Sequence, residues 1–431
     1  MTPGARLAAA IELIAAIERG AVADREIGSY FRTRRYAGSK DRAAISTLVY
    51  DCLRRRGIAL WGLERVGLDP NPRHLALELL VRGRGEPAEA VFTGEGHAPA
   101  RLDDAERAAV AALNALDDGA APAWARLGFP AWLESELRAR FGEDLETEMA
   151  ALNRRAAVDL RVNALKAVRP QVTEELARLG VTAAPTPLSP LGLRIEGERD
   201  LSRLPPLRDG LVEIQDEGSQ IVALMVEARP GEQVVDFCAG AGGKTLALAA
   251  QMRRQGQVYA LDSDAARLER LKPRARRAGA HNIQPHVLAG ADDPWLKCEG
   301  GRFDRVLVDA PCSGMGAWRR APEARWRLTG EILARHVMHQ GAILSRAASL
   351  VRPGGRLIYA VCSLLPVEGE GVVGKFLSDR HDFASVPAAD VWASAIGSEC
   401  PADASSYLVL TPARHGCDGF FVAVLERRAG V

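Results

Sequence analysis

Nowhere in this chain of 431 residues does an apolar run approach the ~18–20 residues that a membrane-spanning helix needs. The N-terminal stretch ARLAAAIELIAAIERG comes nearest, but Glu12 and Glu18 interrupt it. Its Leu7, Ile11, Ile14 and Ile17 recur at helical spacing, which predicts an amphipathic core helix rather than an export signal. A disulfide framework is also lacking. Seven cysteines, an odd number without regular spacing, indicate free thiols and a reducing, cytoplasmic compartment. There is no CxxC pair, so a zinc site is not expected. Charge of one sign does not dominate, since 56 Lys and Arg stand against 55 Asp and Glu. That sum conceals an asymmetry: residues 1–60 hold eleven basic residues against six acidic ones. A solvated basic face and an RNA-facing patch account for it equally well. Internal repeats and low-complexity tracts are absent too.

What remains is a globular chain too long for one typical core, 47% apolar and 26% charged, and two or three domains are expected. Residues 1–140 read as helices. In YFRTRRYAGSKDRAAISTLVYDCLRRR, Ser39 is the expected N-cap, with Asp41 in the first turn. Ile45, Leu48, Val49, Cys52 and Leu53 are the expected buried face. Residues 141–215 change texture. AVDLRVNALKA, LGLRIEGERD and GLVEIQD read as short strands around the helix VTEELARLG, a small α+β subdomain. From 216 to 431, strands are expected at QVVDFC, QVYALD, IQPHVL, RVLVDA, RLIYAV, SYLVL and GFFVAVLE. Helices are expected between them at 243–254, 264–278, 330–351 and 366–379. This alternation predicts an α/β domain with a doubly wound sheet.

Three segments of that sheet carry chemistry. RVLVDAPCSG and RLIYAVCS each place a thiol, Cys312 and Cys362, just past an apolar strand, where open α/β sheets gather their ligands. Asp309 shares that rim. A thiol pair of this kind suits nucleophilic chemistry, a redox couple or a metal. The third segment, VVDFCAGAGGKTLALAA, is a strand, a glycine-rich turn and a helix. Its glycines at 240, 242 and 243 let backbone amides approach a ligand at a helix N-terminus. A phosphate-binding P-loop would need glycine at 238, where Cys238 stands. Asp262 ends the next strand and suits a ribose diol, with helix capping as the alternative. Lys244 faces either a ligand or a strand-end acid. WRRAPEARWR interleaves Trp318 and Trp326 with Arg319, Arg320, Arg325 and Arg327. This suits RNA through stacking and phosphate contacts, or else a helix with its aromatics in the core. Cys52, Cys298, Cys400 and Cys417 read as buried small hydrophobes.

Taken together, CAGAGGKT, DAPCSG and AVCS resemble the S-adenosylmethionine-dependent RNA cytosine-5 methyltransferases of the Nop-Sun group. LRVNALK at 160–166 resembles that group's N-terminal RNA-side motif. QDEGSQ at 215–220 resembles the entry to the catalytic core, and DGFF at 418–421 its closing strand. The helical segment with YAGSKDRAAI is similar to the NusB-like domain of the RsmB-type bacterial enzymes. The resemblance implies a Rossmann-like class I methyltransferase sheet, a small α+β linker subdomain and an all-α NusB-like RNA-binding domain. It implies S-adenosyl-L-methionine held by Cys238, Ala239, Gly240, Ala241, Gly242, Gly243, Lys244, Asp262 and Asp309. An acid after the third strand, Asp292 or Asp293, would face the adenine. Gly240-Ala241 replaces the group's usual Ala-Pro pair, which loosens the turn and leaves the cradle.

The resemblance further implies 5-methylcytosine formation in RNA, most of all 16S rRNA, by a monomeric enzyme with neither metal nor membrane. Carbon 5 of cytosine is a poor nucleophile, and a thiolate adding to carbon 6 activates it. The group's pattern gives that attack to Cys362, resolution of the adduct to Cys312, and the base edge or methionine end to Asp309. DNA cytosine-5 methyltransferases attack instead with the cysteine of a Pro-Cys pair, here Pro311-Cys312. A non-catalytic RNA-binding assembly factor is the third alternative.

Overall fold

The computed structural model describes residues 1–197, 201, 204–401 and 406–430. The chain forms two compact units. One holds Met1–Arg154 together with Trp318–Leu328, and the other holds Arg155–Ala317 and Thr329–Val431.

The first unit is helical. Helices Pro3–Glu18, Ala23–Thr33, Ser39–Arg65 and Pro72–Glu78 enclose a core that includes Leu7, Leu13, Ile14, Ile17, Ile45, Val49 and Leu53. Thr2 caps the first helix by accepting the Ala5 amide at 3.2 Å, and Pro3 follows at the position where a missing N–H costs nothing. Ile45, Leu48, Val49, Cys52 and Leu53 are all buried, as the apolar spacing predicts. Ser39 lies one residue inside its helix and Gly38 is the N-cap. Asp41 takes Arg6 as its partner at 2.8 Å. The unit runs past the expected limit at 140 because helix Leu145–Asn153 buries Leu145, Met149 and Leu152.

The segment Trp318–Leu328 departs most from the sequence reading. It is a strut of the helical unit rather than a surface for RNA. Trp318 and Arg325 are 0% exposed, and Arg319 and Glu323 are also buried. Arg325 donates to the carbonyls of Gly128 at 2.7 Å and Leu152 at 3.2 Å, and to the Asn153 side chain at 3.2 Å. Burial lowers its pKa to about 9, because a cation without water is disfavoured. The Ala23 amide donates to Glu323 at 3.0 Å, and Arg327 donates to the Ile17 carbonyl at 3.0 Å. The chain therefore leaves the second unit, threads the first and returns.

The second unit carries two sheets. Strands β1 (Val158–Val162), β2 (Ala183–Pro185), β3 (Gly192–Ile195) and β4 (Val212–Ile214) form an antiparallel sheet in the order β2-β3-β1-β4. Helix Arg169–Arg178 packs on it through Val172 and Leu176. The tail of LGLRIEGERD, at 198–200, lies outside the described residues. The large sheet comprises β5 (Gln233–Asp236), β6 (Gln257–Asp262), β7 (Ile283–Val287), β8 (Phe303–Asp309), β9 (Val351–Val361), β10 (Phe383–Val386), β11 (Leu408–Leu410) and β12 (Phe420–Arg427). Its order is β10-β12-β9-β8-β5-β6-β7, with β11 also on β12. Strands β5 to β9 are mutually parallel, and β12 returns antiparallel on β9. This is the expected α/β fold with a doubly wound, Rossmann-like sheet. Its strand order reverses at β5, which puts the ligand crevice between the ends of β5 and β8.

Trp318→Ala should destabilise the helical unit by about 3–5 kcal/mol, as truncation of a fully buried Trp does. Urea denaturation of the full chain measures it. Unchanged stability would return this segment to the role of a surface strip.

Candidate active site

Parallel pairing sets the site. Asp236 of β5 lies opposite Leu307 and Ala260, and Asp309 of β8 lies opposite Ala360 of β9. Asp236, Asp262, Asp309 and the residues just after them therefore end at one carboxyl edge. Cys312 follows β8 by three residues and Cys362 follows β9 by one. Their sulfurs stand 3.3 Å apart. Gly316 makes this possible: its amide donates to the Cys362 carbonyl at 3.0 Å, and the Gly419 amide donates to the Gly316 carbonyl at 2.8 Å. A Cβ on Gly316 would fall 2.0 Å from the Gly419 carbonyl oxygen, so only glycine fits.

The edge opens into a cavity of about 1020 Å³ lined by Asp236, Cys238 to Ala241, Gly243, Lys244, Asp262, Asp309, Cys312 and Cys362. The glycine-rich turn adopts left-handed backbone at Gly240 (φ 55°) and Gly242 (φ 84°). Asp262 shapes the turn by accepting the Gly240 and Asp264 amides, each at 2.8 Å. A carboxylate has about four acceptor positions, so two remain beyond these amides, and Asp262 lines the cavity. Lys244 reaches Asp309 at 2.6 Å and lies over the Phe420 ring at 5.4 Å. Burial disfavours the ammonium, but the Asp309 carboxylate outweighs it and holds Lys244 above its ordinary range.

The Cys312 thiol is also held well above its usual range, first by its hydrogen bond to Cys362 and then by burial. Burial raises Cys238 as well, with help from the surrounding carboxylates. Asp236, which the sequence reading passed over, is buried and receives the Thr245 hydroxyl at 2.7 Å. Its other oxygen has no partner, and burial raises its pKa to about 7. An acid inside the apolar run QVVDFC was the signal for it.

Not every expected residue arrives. Asp292 is exposed, and the cavity wall passes through Leu288, Gly290 and Ala291 instead. Asp293 caps helix Pro294–Cys298, accepting the Trp295 and Ala289 amides at 2.9 and 2.8 Å. In LRVNALK, Arg161 and Asn163 are buried and Lys166 is exposed, and all three bond backbone carbonyls. Arg161 donates to the Gly243 carbonyl at 2.7 Å. Asn163 donates to the carbonyls of Gly210 and Ala278 at 2.8 and 2.9 Å. Lys166 donates to those of Asp209 and Arg277 at 2.8 and 2.6 Å. Arg161 thus ties the small sheet to the glycine turn, and Asn163 and Lys166 tie it to the end of helix Ala265–Ala278. QDEGSQ and DGFF meet through Asp216, which accepts the Gly218 and Asp418 amides at 2.8 and 3.0 Å. Of the four cysteines expected in the core, Cys52 and Cys417 are buried, Cys400 is half-buried and Cys298 is exposed.

S-adenosylmethionine fits what the cavity offers. The volume suits a nucleoside joined to an amino acid, the turn presents backbone at left-handed glycines, and Asp262 keeps open acceptor positions. The unsatisfied Asp236 oxygen adds a buried acceptor on the same wall.

Comparison with known proteins points the same way. A family model described as 16S rRNA methyltransferase RsmB/F matches residues 223–426. A second, described as the ferredoxin-like domain of RsmF/B-like methyltransferases, matches residues 129–202. The chain is 31% identical to the "Ribosomal RNA small subunit methyltransferase B" of Xanthomonas campestris pv. campestris, over 97% of this chain and 96% of that one. It is 35% identical to the "Probable ribosomal RNA small subunit methyltransferase B" of Synechocystis sp., over 75% and 72% respectively. Among solved structures, a methyltransferase homolog protein from Pyrococcus horikoshii is similar over 72% of this chain and 100% of its own, with TM-score 0.61 and 26% identity.

Asp236 generates a pH test. Its folded pKa is raised above the unfolded value, so the folded state holds the extra proton between about pH 4 and 7. Stability therefore falls as pH rises through that window. Asp236→Asn should remove this component, gaining roughly 2–4 kcal/mol relative to the parent at pH 7.5 and little at pH 4. Urea titrations of both proteins across the range measure it.

Proposed function

This chain belongs to the RsmB/F family of methyltransferases, and on that premise we propose that it forms 5-methylcytosine in small-subunit rRNA, in the cytoplasm, by way of a cysteine adduct. The observation that carries the reading is the thiol pair, 3.3 Å apart, at the rim that also holds the bonded Lys244 and Asp309. S-adenosylmethionine, when bound by the glycine turn, Asp262 and neighbouring residues, supplies an electrophilic methyl group. Every other step falls to the chain. The Cys362 sulfur adds to carbon 6 of an extruded cytosine, and the ring gains electron density at carbon 5. Asp309, whose charge Lys244 balances, meets the ring-nitrogen edge, where ring nitrogen 3 takes the proton given up by the Cys362 thiol as the sulfur adds and returns it as the sulfur leaves. Once carbon 5 is methylated, its hydrogen leaves as a proton to a water held beside Cys312. The carbon–sulfur bond then breaks, returning the electron pair to Cys362. Extrusion is required because the target atoms are inaccessible in a stacked helix.

Two features favour this over the DNA-type alternative. The second thiol has no use in a mechanism that attacks from the Pro-Cys pair alone. The RsmB/F relationship also spans almost the whole chain in the Xanthomonas relative. An assembly factor without catalysis would have no need for a bonded Lys–Asp pair beside two thiols. The Arg25, Arg32, Arg35 and Lys40 side chains of the helical unit form no ion pair among the described residues, and they are proposed to meet RNA phosphates.

Bisulfite sequencing of rRNA from cells with and without the gene tests the product, and one cytosine should lose protection in the deletion. Cys362→Ala should abolish methylation and leave cofactor affinity within about twofold, read by calorimetry, because general covalent catalysis is lost while the cofactor wall is intact. Cys312→Ala should accumulate an RNA–protein species that survives denaturing electrophoresis, and the double variant should not. If Cys362→Ala traps RNA instead, the roles of the thiols are reversed.

A further inference from the structure

Behind the two thiols lies a buried carboxylate that the mechanism above does not use. Glu368 is 0% exposed. Its Oε1 accepts the Ser313 amide at 2.8 Å and the Gln340 side-chain amide at 2.9 Å. Its Oε2 accepts the Ser313 hydroxyl. Gln340, also buried, donates to the Pro311 carbonyl at 3.0 Å. On one side of Cys312, Ser313 is therefore anchored to this acid directly, and on the other Pro311 is tied to it through Gln340. The other cysteine loop is tied to the same cluster. Ser363 lies 3.1 Å from the Ser313 hydroxyl, and the Tyr359 hydroxyl donates to the Glu368 carbonyl at 2.7 Å.

The charges around the thiols are unequal. Glu368 opposes a second negative charge on Cys312, whereas the Lys244 ammonium interacts with Cys362. A like charge nearby disfavours the ionised form and an opposite charge favours it. We infer that Glu368 is a positioning residue for the thiol pair: through Ser313, Gln340 and its own backbone carbonyl it locks both cysteine loops and sets its negative charge on the Cys312 side of the pair. This rests on the reading in which Cys362 attacks.

The experiment uses the full chain without RNA. Iodoacetamide labelling is followed by mass spectrometry across pH 6 to 10. In the parent protein, Cys362 should label ahead of Cys312. Glu368→Gln preserves shape and removes the charge, so the Cys312 midpoint should move about one pH unit lower and the preference should shrink. Glu368→Asp keeps the charge and loses the reach. It should keep the labelling preference while turnover on an rRNA fragment falls about tenfold or more at unchanged KM and cofactor affinity, as expected when orientation alone is lost.

A Glu368→Gln labelling profile that superimposes on the parent would overturn the charge assignment. Unchanged turnover in Glu368→Asp would overturn the clamp. Should Glu368→Gln fail to fold by circular dichroism, Ser313→Ala takes its place, with labelling preference retained and turnover reduced; full turnover there overturns the inference. Labelling is independent of catalysis. A parent protein that methylates no cytosine, together with the shifted Cys312 profile, would refute the functional reading and leave Glu368 in its assigned place.

Discussion

The site depends on one register: Asp309 of β8 opposite Ala360 of β9. From that pairing, Cys312 and Cys362 emerge from adjacent strands with their sulfurs in contact. Shifting a strand by one residue would turn its side chains to the opposite face. Val306 and Val308 would then exchange places with Leu307 between the two apolar layers that flank the sheet. Both layers are apolar, so alternation alone specifies this register weakly. The polar ends specify it instead. Asp309 must reach Lys244, and Gly316 must pass within van der Waals contact of Gly419. Charge pairing at the rim and close backbone approach thus supply what the buried strands cannot.

Much of this arrangement was readable in the residues. The strand runs announced the sheet, and the motifs at their ends announced which side chains share a rim. Cys238, Gly240, Gly243, Lys244, Asp262, Asp309, Cys312 and Cys362 do line one cavity. What escaped notice was residues whose meaning is set by distant partners. Glu368 sits in LLPVEGEG, at the expected start of a helix over 366–379, whereas the helix begins at Glu370, and only packing brings the turn before it beneath both cysteine loops. Asp292 and Asp293 could not be told apart from sequence because capping and ligand contact call for the same side chain. Short elements such as β2 and β10 carry too few residues for a periodic signal.

WRRAPEARWR shows a different kind of ambiguity. Alternating Trp and Arg is what RNA binding needs, because indoles stack and guanidiniums bridge phosphates. The same pairing serves a protein interior. Arg325 sits 5.2 Å from the Trp318 ring centre and spends its donors on backbone carbonyls. Composition cannot distinguish the two uses, since the guanidinium has planar donors in both and the indole has a face in both. The discriminating quantity is access to water, and burial settles it here in favour of structure.

The thiol pair poses an electrostatic problem that the fold answers by asymmetry. Two sulfurs in contact cannot both ionise, since the second charge would meet the first at short range in a poorly solvated site. A symmetric setting would share the proton and leave neither sulfur committed. Here a cation lies on the Cys362 side, where Lys244 is held in place by Asp309, and an anion lies on the Cys312 side, where Glu368 is held by three donors. Each of these charges is buried only because it is bonded, as burial of an unpaired ion would be prohibitive. Both structural pairs therefore do more than hold loops in place. On the proposed mechanism they give a direction to a pair of chemically identical groups, which a covalent route that must both attack and release needs.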